Sequence, residues 1–382
     1  MGVKTVVIIS SVPLSEPVSR NRLVPFCNLF LEEGISVSLV CPKSKPDTHA
    51  HPEGVNLIEV ELDTNKPESF IKRAVKEARD VVALLKVAKT QQADAYLPSI
   101  PSMFLAFLSP LYLPKKSSFI DVRDLTWEYL SEENFLQRLS KRVFRFLFKV
   151  SINFYQLVAV TNTAELSYVN KVWKGRKTLL LVSNGITQEQ FNKLQSTQPA
   201  NNEKLTVTYI GNIGIAQDLE TLVEAAKQLP NVLFKIVGAG IEYEKIQNLV
   251  SVEKISNVEF TGRIPWDNVK NYYDNTNILY AQLTPDFAGA MPSKLYEYLS
   301  TGKYIIYGGQ GQAVDKLREF NNNQVIPPSD SKALVDAIKK AAERTDLSQL
   351  SQENRQQIQE HYIRENTARK LIKAIKEHME MG

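Results

Sequence analysis

Short unbroken apolar runs, separated by longer stretches of helical periodicity, constrain this chain more than any other feature. Residues 6–10, 35–40, 55–60, 95–98, 118–122, 157–160 and 179–182 read as strands. Runs such as Val6-Val7-Ile8-Ile9 lack polar alternation, so they require burial on both faces, as in a parallel sheet. Between them, residues 22–33 carry Leu23, Phe26, Cys27 and Phe30 at helical spacing and stop at Gly34. Residues 67–89 read as a long helix, 103–113 as a buried one and 136–149 as a basic amphipathic one. A strand–loop–helix–strand unit of this kind seeds a doubly wound α/β fold. After the polar stretch at 196–204 the alternation restarts. Strands are expected at 205–210, 232–237, 258–261, 277–281, 304–307 and 325–326, with helices between and after them. A length of 382 residues is long for one core. The expected architecture is two α/β domains facing each other across a cleft: residues 1–195, a linker at 196–204, residues 205–364, and a closing helix at 365–382.

Composition removes several classes of function. A net charge of +4 gives no argument for nucleic acid. Cys27 and Cys41 have no metal or redox spacing and fit a reducing compartment. His49-Ala50-His51 sits between Pro46 and Pro52 with no third ligand nearby, so no metal site is expected there. Neither a signal peptide nor an apolar run of the ~18 residues needed to span a bilayer is visible. The chain reads as cytoplasmic.

The most informative stretch is Pro292-Ser293-Lys294-Leu295-Tyr296-Glu297-Tyr298-Leu299, followed by Gly302-Lys303. Pro292 suits a helix start and Gly302 a helix end. Leu295, Tyr298 and Leu299 share one face, and Glu297 points elsewhere. Its carboxylate has two readings: a favourable interaction with the helix dipole, or an acceptor for both hydroxyls of a sugar diol. In doubly wound sheets ligands bind outside the carboxyl ends of the strands. In the second half those positions are Gly211-Asn212-Ile213-Gly214, Gly238-Ala239-Gly240, Gly262-Arg263-Ile264 and the loop from Pro285 to Pro292. Glycine turns opening into helices let backbone amides approach phosphate, with Arg263 and Lys294 available for charge. Tight strand-to-helix turns also need glycine for themselves. The dinucleotide fingerprint is absent from the first strand–helix turn, which argues against a nicotinamide or flavin enzyme. In the first half, Asp121-Val122-Arg123-Asp124 with Glu128 forms a charged loop after an apolar strand: a solvated ion-paired loop, or a functional one.

The order of these motifs resembles the GT-B glycosyltransferases, and within them glycosyltransferase family 4, in the branch that builds bacterial surface polysaccharides. The resemblance spans nearly the whole chain. It rests on Asp121 to Leu125, Val182-Ser183-Asn184-Gly185-Ile186, Tyr209 to Gly214 with Ala216-Gln217, Ile236 to Gly240, Phe260 to Arg263, and Pro292 to Lys303. It implies two Rossmann-like domains, the second binding a nucleotide sugar, with the C-terminal helix packing back on the N-terminal domain. It implies no cofactor and no metal. It places Glu297 on the donor ribose, as the second of the family's two paired glutamates. The first falls on Gly289, and backbone amides of Ala288 to Met291 stand in its place. The Arg and Lys that many members place on the diphosphate fall on Asn212 and Gln217. A catalytic histidine of some members falls near Asp121. The implied donor set is Gly211, Asn212, Gly214, Gly238, Gly240, Arg263, Gly289, Ala290, Met291, Ser293, Lys294, Leu295 and Glu297. Asp121, Arg123 and Asp124 are the implied catalytic set, Asp121 or Asp124 orienting the acceptor.

The expectation is a retaining, metal-independent, hexosyltransferase-like enzyme that moves a sugar from a nucleotide diphosphate sugar to a saccharide or lipid-linked acceptor. The alternatives are a nucleotide-sugar epimerase of the same fold and a non-catalytic sugar-nucleotide-binding protein. The amphipathic stretch adds a further partner. Leu136, Leu139, Val143, Leu147 and Val150 form one stripe, and Arg138, Arg142, Arg145 and Lys149 another. This is either an ordinary domain helix with a solvated basic side or a device for peripheral docking on the anionic inner face of the membrane.

Overall fold

Every strand pairing in both sheets is parallel, as the unbroken apolar runs require. The computed structural model describes residues 4–44, 52–63, 65, 69–123, 125, 127, 135–173 and 178–381. The chain divides into two units, residues 1–187 with 364–382, and residues 188–363. The His49/His51 pair and Asp124 lie outside the described residues.

The first unit runs β1 (Thr5–Ser10), α1 (Pro17–Glu32), β2 (Ser36–Pro42), β3 (Val55–Val60), α2 (Phe70–Thr90), β4 (Ala95–Ile100), α3 (Met103–Tyr112), β5 (Phe119–Val122), α4 (Phe135–Ser151), β6 (Leu157–Val160), α5 (Thr163–Val172) and β7 (Thr178–Leu181). Its sheet has the order β3-β2-β1-β4-β5-β6-β7. The order reverses between β1 and β4, which makes that gap the switch point where doubly wound sheets open at their carboxyl edge. Alternate residues of β1 enter two cores: Val6 and Ile8 pack with α1, Val7 and Ile9 with α2.

The second unit runs α6 (Gln188–Leu194), β8 (Thr206–Ile210), α7 (Glu220–Gln228), β9 (Leu233–Val237), α8 (Tyr243–Val252), β10 (Val258–Gly262), α9 (Val269–Asp274), β11 (Ile278–Gln282), α10 (Ser293–Thr301), β12 (Tyr304–Gly308), α11 (Gln312–Leu317), β13 (Asn323–Ile326), α12 (Ser331–Ala342) and α13 (Gln352–His361). The sheet order is β10-β9-β8-β11-β12-β13, with the switch point between β8 and β11. The stretch 196–204, expected as a linker, lies within this unit. The Gln198 amide donates to Asp274 (2.9 Å), and Arg355 donates to the Thr197 carbonyl (2.9 Å). The last helix, α14 (Arg364–Met381), returns to the first unit as expected. It adds Leu371, Ile372 and Ile375 to the core beside α1.

Candidate active site

The second unit's switch point is held open and then re-tied by α10. Pro292 is the N-cap in an extended conformation, and Gly302 ends the helix in the left-handed region at φ +73°. Leu295, Tyr298 and Leu299 are fully buried, as their shared face predicted. β8 and β11 pair only at Val207 and Thr208, so the two strands part before their carboxyl ends. The Tyr298 hydroxyl sits where the ladder stops. It accepts from the Ile210 amide at 2.8 Å and reaches the carbonyls of Ile210 and Tyr280, each at 3.2 Å. Burial holds its pKa well above the ordinary phenol value, so it remains a donor.

Fixing Tyr298 fixes Glu297 beside it. Glu297 Oε2 accepts from Lys294 Nζ at 2.9 Å and from the Tyr273 hydroxyl at 3.3 Å. Tyr273 is fully buried, and its pKa is pushed well up by that burial and by the Glu297 charge. Lys294 is half-buried, one helical turn before Glu297. Its Cε lies 3.7 Å from where a β-carbon on Gly211 would stand, so its stem crosses the first glycine turn. The helix therefore brings together Glu297, Lys294 and the end of β8.

Of the two causes open for the glycine turns, phosphate approach and the demands of the turns themselves, the geometry shows the second. A β-carbon on Gly238, at φ +145°, would stand 1.8 Å from the Gly211 carbonyl oxygen, and one on Gly240 2.1 Å from that of Ile213. The Gly211 amide donates to Val237 (2.9 Å), Ile213 to Ala239 (3.0 Å) and Gly238 to Gly262 (3.0 Å). The turns after β8, β9 and β10 are thus laced to one another. The amides of Gly211 and Gly238, expected to face phosphate, are committed to this lacing. The Gly214 amide donates to Gln217 Oε1 (3.2 Å), so Gln217 closes its own turn. Tyr209 donates to the Asn212 carbonyl. Arg263 is exposed just after the third turn.

The loop carrying Gly289, Ala290 and Met291 is braced from outside. The Ala288 and Ala290 amides donate to Pro285 (3.2 Å) and Phe287 (2.9 Å), so these two are not available to replace a carboxylate. Gly311, at φ +72°, passes so close that its β-carbon would stand 2.2 Å from the Ala288 oxygen. Ser293 is exposed at the first position of α10. Gln282, at the end of β11 and outside the expected site, is buried and ties two loops to that strand. Its Nε2 donates to Asp218 (3.0 Å), and its Oε1 accepts from the Ser329 amide (2.9 Å) and from Tyr280 (2.8 Å). A glutamine closing an apolar strand was the available signal.

In the first unit Asp121 is not placed to orient an acceptor. Its carboxylate is fully buried. Arg22 donates through Nη2 at 2.5 Å and Nε at 3.1 Å, and Ser99, its register partner on β4, donates at 2.8 Å. Arg22 also donates to the Val182 carbonyl (2.8 Å). This ion pair fastens α1 across the first unit's switch point. Arg123 is buried and donates to the Val18 carbonyl (2.6 Å). Lys303, after Gly302, is buried too, donating to the carbonyls of Thr276 (2.7 Å) and Asp274 (3.2 Å), and desolvation lowers its pKa to about 8.

Residues 190–361 match the family model described as "Glycosyl transferases group 1". No curated protein matches the chain. Among solved structures, sucrose-phosphate synthase (tll1590) from Thermosynechococcus elongatus is 16% identical, with a TM-score of 0.75 over 99% of this chain and 100% of that one. WaaG, a glycosyltransferase involved in lipopolysaccharide biosynthesis, is 15% identical, with a TM-score of 0.67 over 96% and 99%. Anabaena Alr3699/HepE, in complex with UDP-glucose, is 13% identical, with a TM-score of 0.65 over 97% and 99%. The fold is the GT-B fold of two Rossmann-like domains. The group 1 domain within that fold supports a GT-B glycosyltransferase.

Proposed function

We propose that the chain transfers a sugar from a nucleotide diphosphate sugar to a hydroxyl of a saccharide or lipid-linked acceptor, with retention and without a metal. The observation that carries this is the Glu297–Lys294 pair, held at the β8/β11 switch point by Tyr298 and Tyr273 inside the matched domain. Glu297 receives the two ribose hydroxyls. Lys294 turns from Glu297 toward the diphosphate and supplies the positive charge that Asn212 and Gln217 lack. A fixed cation beside a departing diphosphate stabilises the charge that develops as the glycosidic bond breaks. Glycosyltransferase family 4 and polysaccharide or glycolipid synthesis are the finer reading. It draws support from the motif order and from the likeness to WaaG, a glycosyltransferase involved in lipopolysaccharide biosynthesis.

Incubation with a panel of nucleotide sugars, with and without a chelator, tests this. Slow release of free nucleotide under chelation is expected. A changed sugar would indicate an epimerase instead, and binding without turnover a sugar-nucleotide-binding protein, an outcome that Gly289 in place of a carboxylate would explain.

A further inference from the structure

Helix α4 turns its apolar stripe outward. Phe148 is buried against Trp127 (ring centroids 4.8 Å apart), and Phe144 stacks on Phe107 (6.0 Å), so these two rings supply the core face. Phe135, Leu139, Val143, Phe146, Leu147 and Val150 are between 37% and 70% exposed. At 100° per residue these six fall within an arc of about 120°. Arg138, Arg142, Arg145 and Lys149 are also exposed, and the same spacing places them together along one border of that arc. The helix contains no acidic residue. A soluble helix normally directs such a stripe at its own core. Here the core face is already filled, and the stripe remains on the surface with a row of cations beside it.

We infer that α4 docks the first unit on an anionic lipid bilayer. The six apolar side chains enter the boundary between headgroups and acyl chains, and the four basic residues meet the anionic headgroups. Charge complementarity selects this occupant. A second copy of this helix would offer these cations no acidic residue, and an apolar peptide would offer none either. No helix among the described residues is long and apolar enough to cross a membrane, so the attachment is to the surface. The inference does not depend on the catalytic reading. A lipid-linked acceptor follows only if both hold.

The test is sedimentation of the full chain with phosphatidylglycerol/phosphatidylcholine vesicles and with phosphatidylcholine alone. Binding to the anionic vesicles at low salt is expected, with release at high salt as the charges are screened. Replacing Arg138, Arg142, Arg145 and Lys149 by Gln should weaken that partitioning by at least about tenfold, since each basic residue near an anionic surface contributes substantially. Phe146→Ser should weaken it separately, and both variants should keep wild-type circular dichroism. Equal binding to both vesicle types, or none, would overturn the inference. So would self-association abolished by Phe146→Ser without vesicle binding. Nucleotide release measured on the same variants in free solution keeps a failure of docking distinct from a failure of catalysis.

Discussion

Replacing Tyr298 by Phe removes one oxygen atom and leaves the ring's shape. The hydroxyl stands between β8 and β11 just where their pairing has ended, and it accepts from the Ile210 amide at 2.8 Å. Without it, a buried N–H is left with no acceptor, a cost of about 1–3 kcal/mol. The bond that the hydroxyl donates to Ile210 or Tyr280 is lost as well, at about 1 kcal/mol. Phe creates little new cavity, so no transfer cost is added. The second unit should therefore lose about 2–4 kcal/mol. Native-state hydrogen exchange reads that unit separately from the first, where a single unfolding midpoint would merge them. Amides of β8 and β11 should exchange roughly 30- to 1000-fold faster in the variant, at a factor of ten per ~1.4 kcal/mol. Nucleotide affinity should also fall, although the substitution touches no proposed contact, because Glu297 is positioned by its neighbour. Exchange within about threefold of wild type, under 0.7 kcal/mol, would refute the account of how the switch point is held.

Gly238→Ala should leave the second unit unfolded or insoluble, because its β-carbon would stand 1.8 Å from a backbone oxygen. Gly262→Ala, with nothing within 4 Å, should cost only the ~1–2 kcal/mol of a left-handed conformation, as thermal unfolding would show. Arg22→Met and Asp121→Asn should each destabilise the first unit by about 3–5 kcal/mol by stranding a buried charge or its partner, and the double variant should lose less than the sum in denaturant titrations. Lys303 titrates near 8 when folded but at its ordinary 10.5 when unfolded, so between those values the unfolded chain binds more protons and stability rises with pH. Lys303→Met should flatten that rise between pH 8 and 10. Above pH 10 the sign reverses. Buried Tyr273, Tyr280 and Tyr298 keep protons that the unfolded chain releases, so stability should fall.

The architecture was legible because it rests on local signals. Unbroken apolar runs, Pro292 before α10 and Gly302 after it are written within a few residues of the structure they specify. α5 and α6 are not legible in the sequence because each is short and weakly patterned, so tertiary packing rather than periodicity decides them. The glycine turns were located correctly, with phosphate approach and the demands of the turns themselves both left open as their cause. The sequence shows Gly238 without the Gly211 carbonyl that crowds it. Asp121 was misjudged for the same reason, since its partner Arg22 lies 99 residues away on another element. The stripe on α4 was visible, yet periodicity does not say which face meets the core. Phe144 and Phe148 take that face, and the longer stripe is left outside.

Calorimetric titration of nucleoside diphosphates into the wild type and Glu297→Ala tests the proposed donor site most directly. Loss of a charged hydrogen-bond pair to the ribose costs about 1.5–3 kcal/mol, so at least one nucleoside diphosphate should bind the wild type and bind the variant about 10- to 150-fold more weakly. Equal affinity in a variant that keeps wild-type circular dichroism would contradict the assignment of Glu297 to the nucleotide.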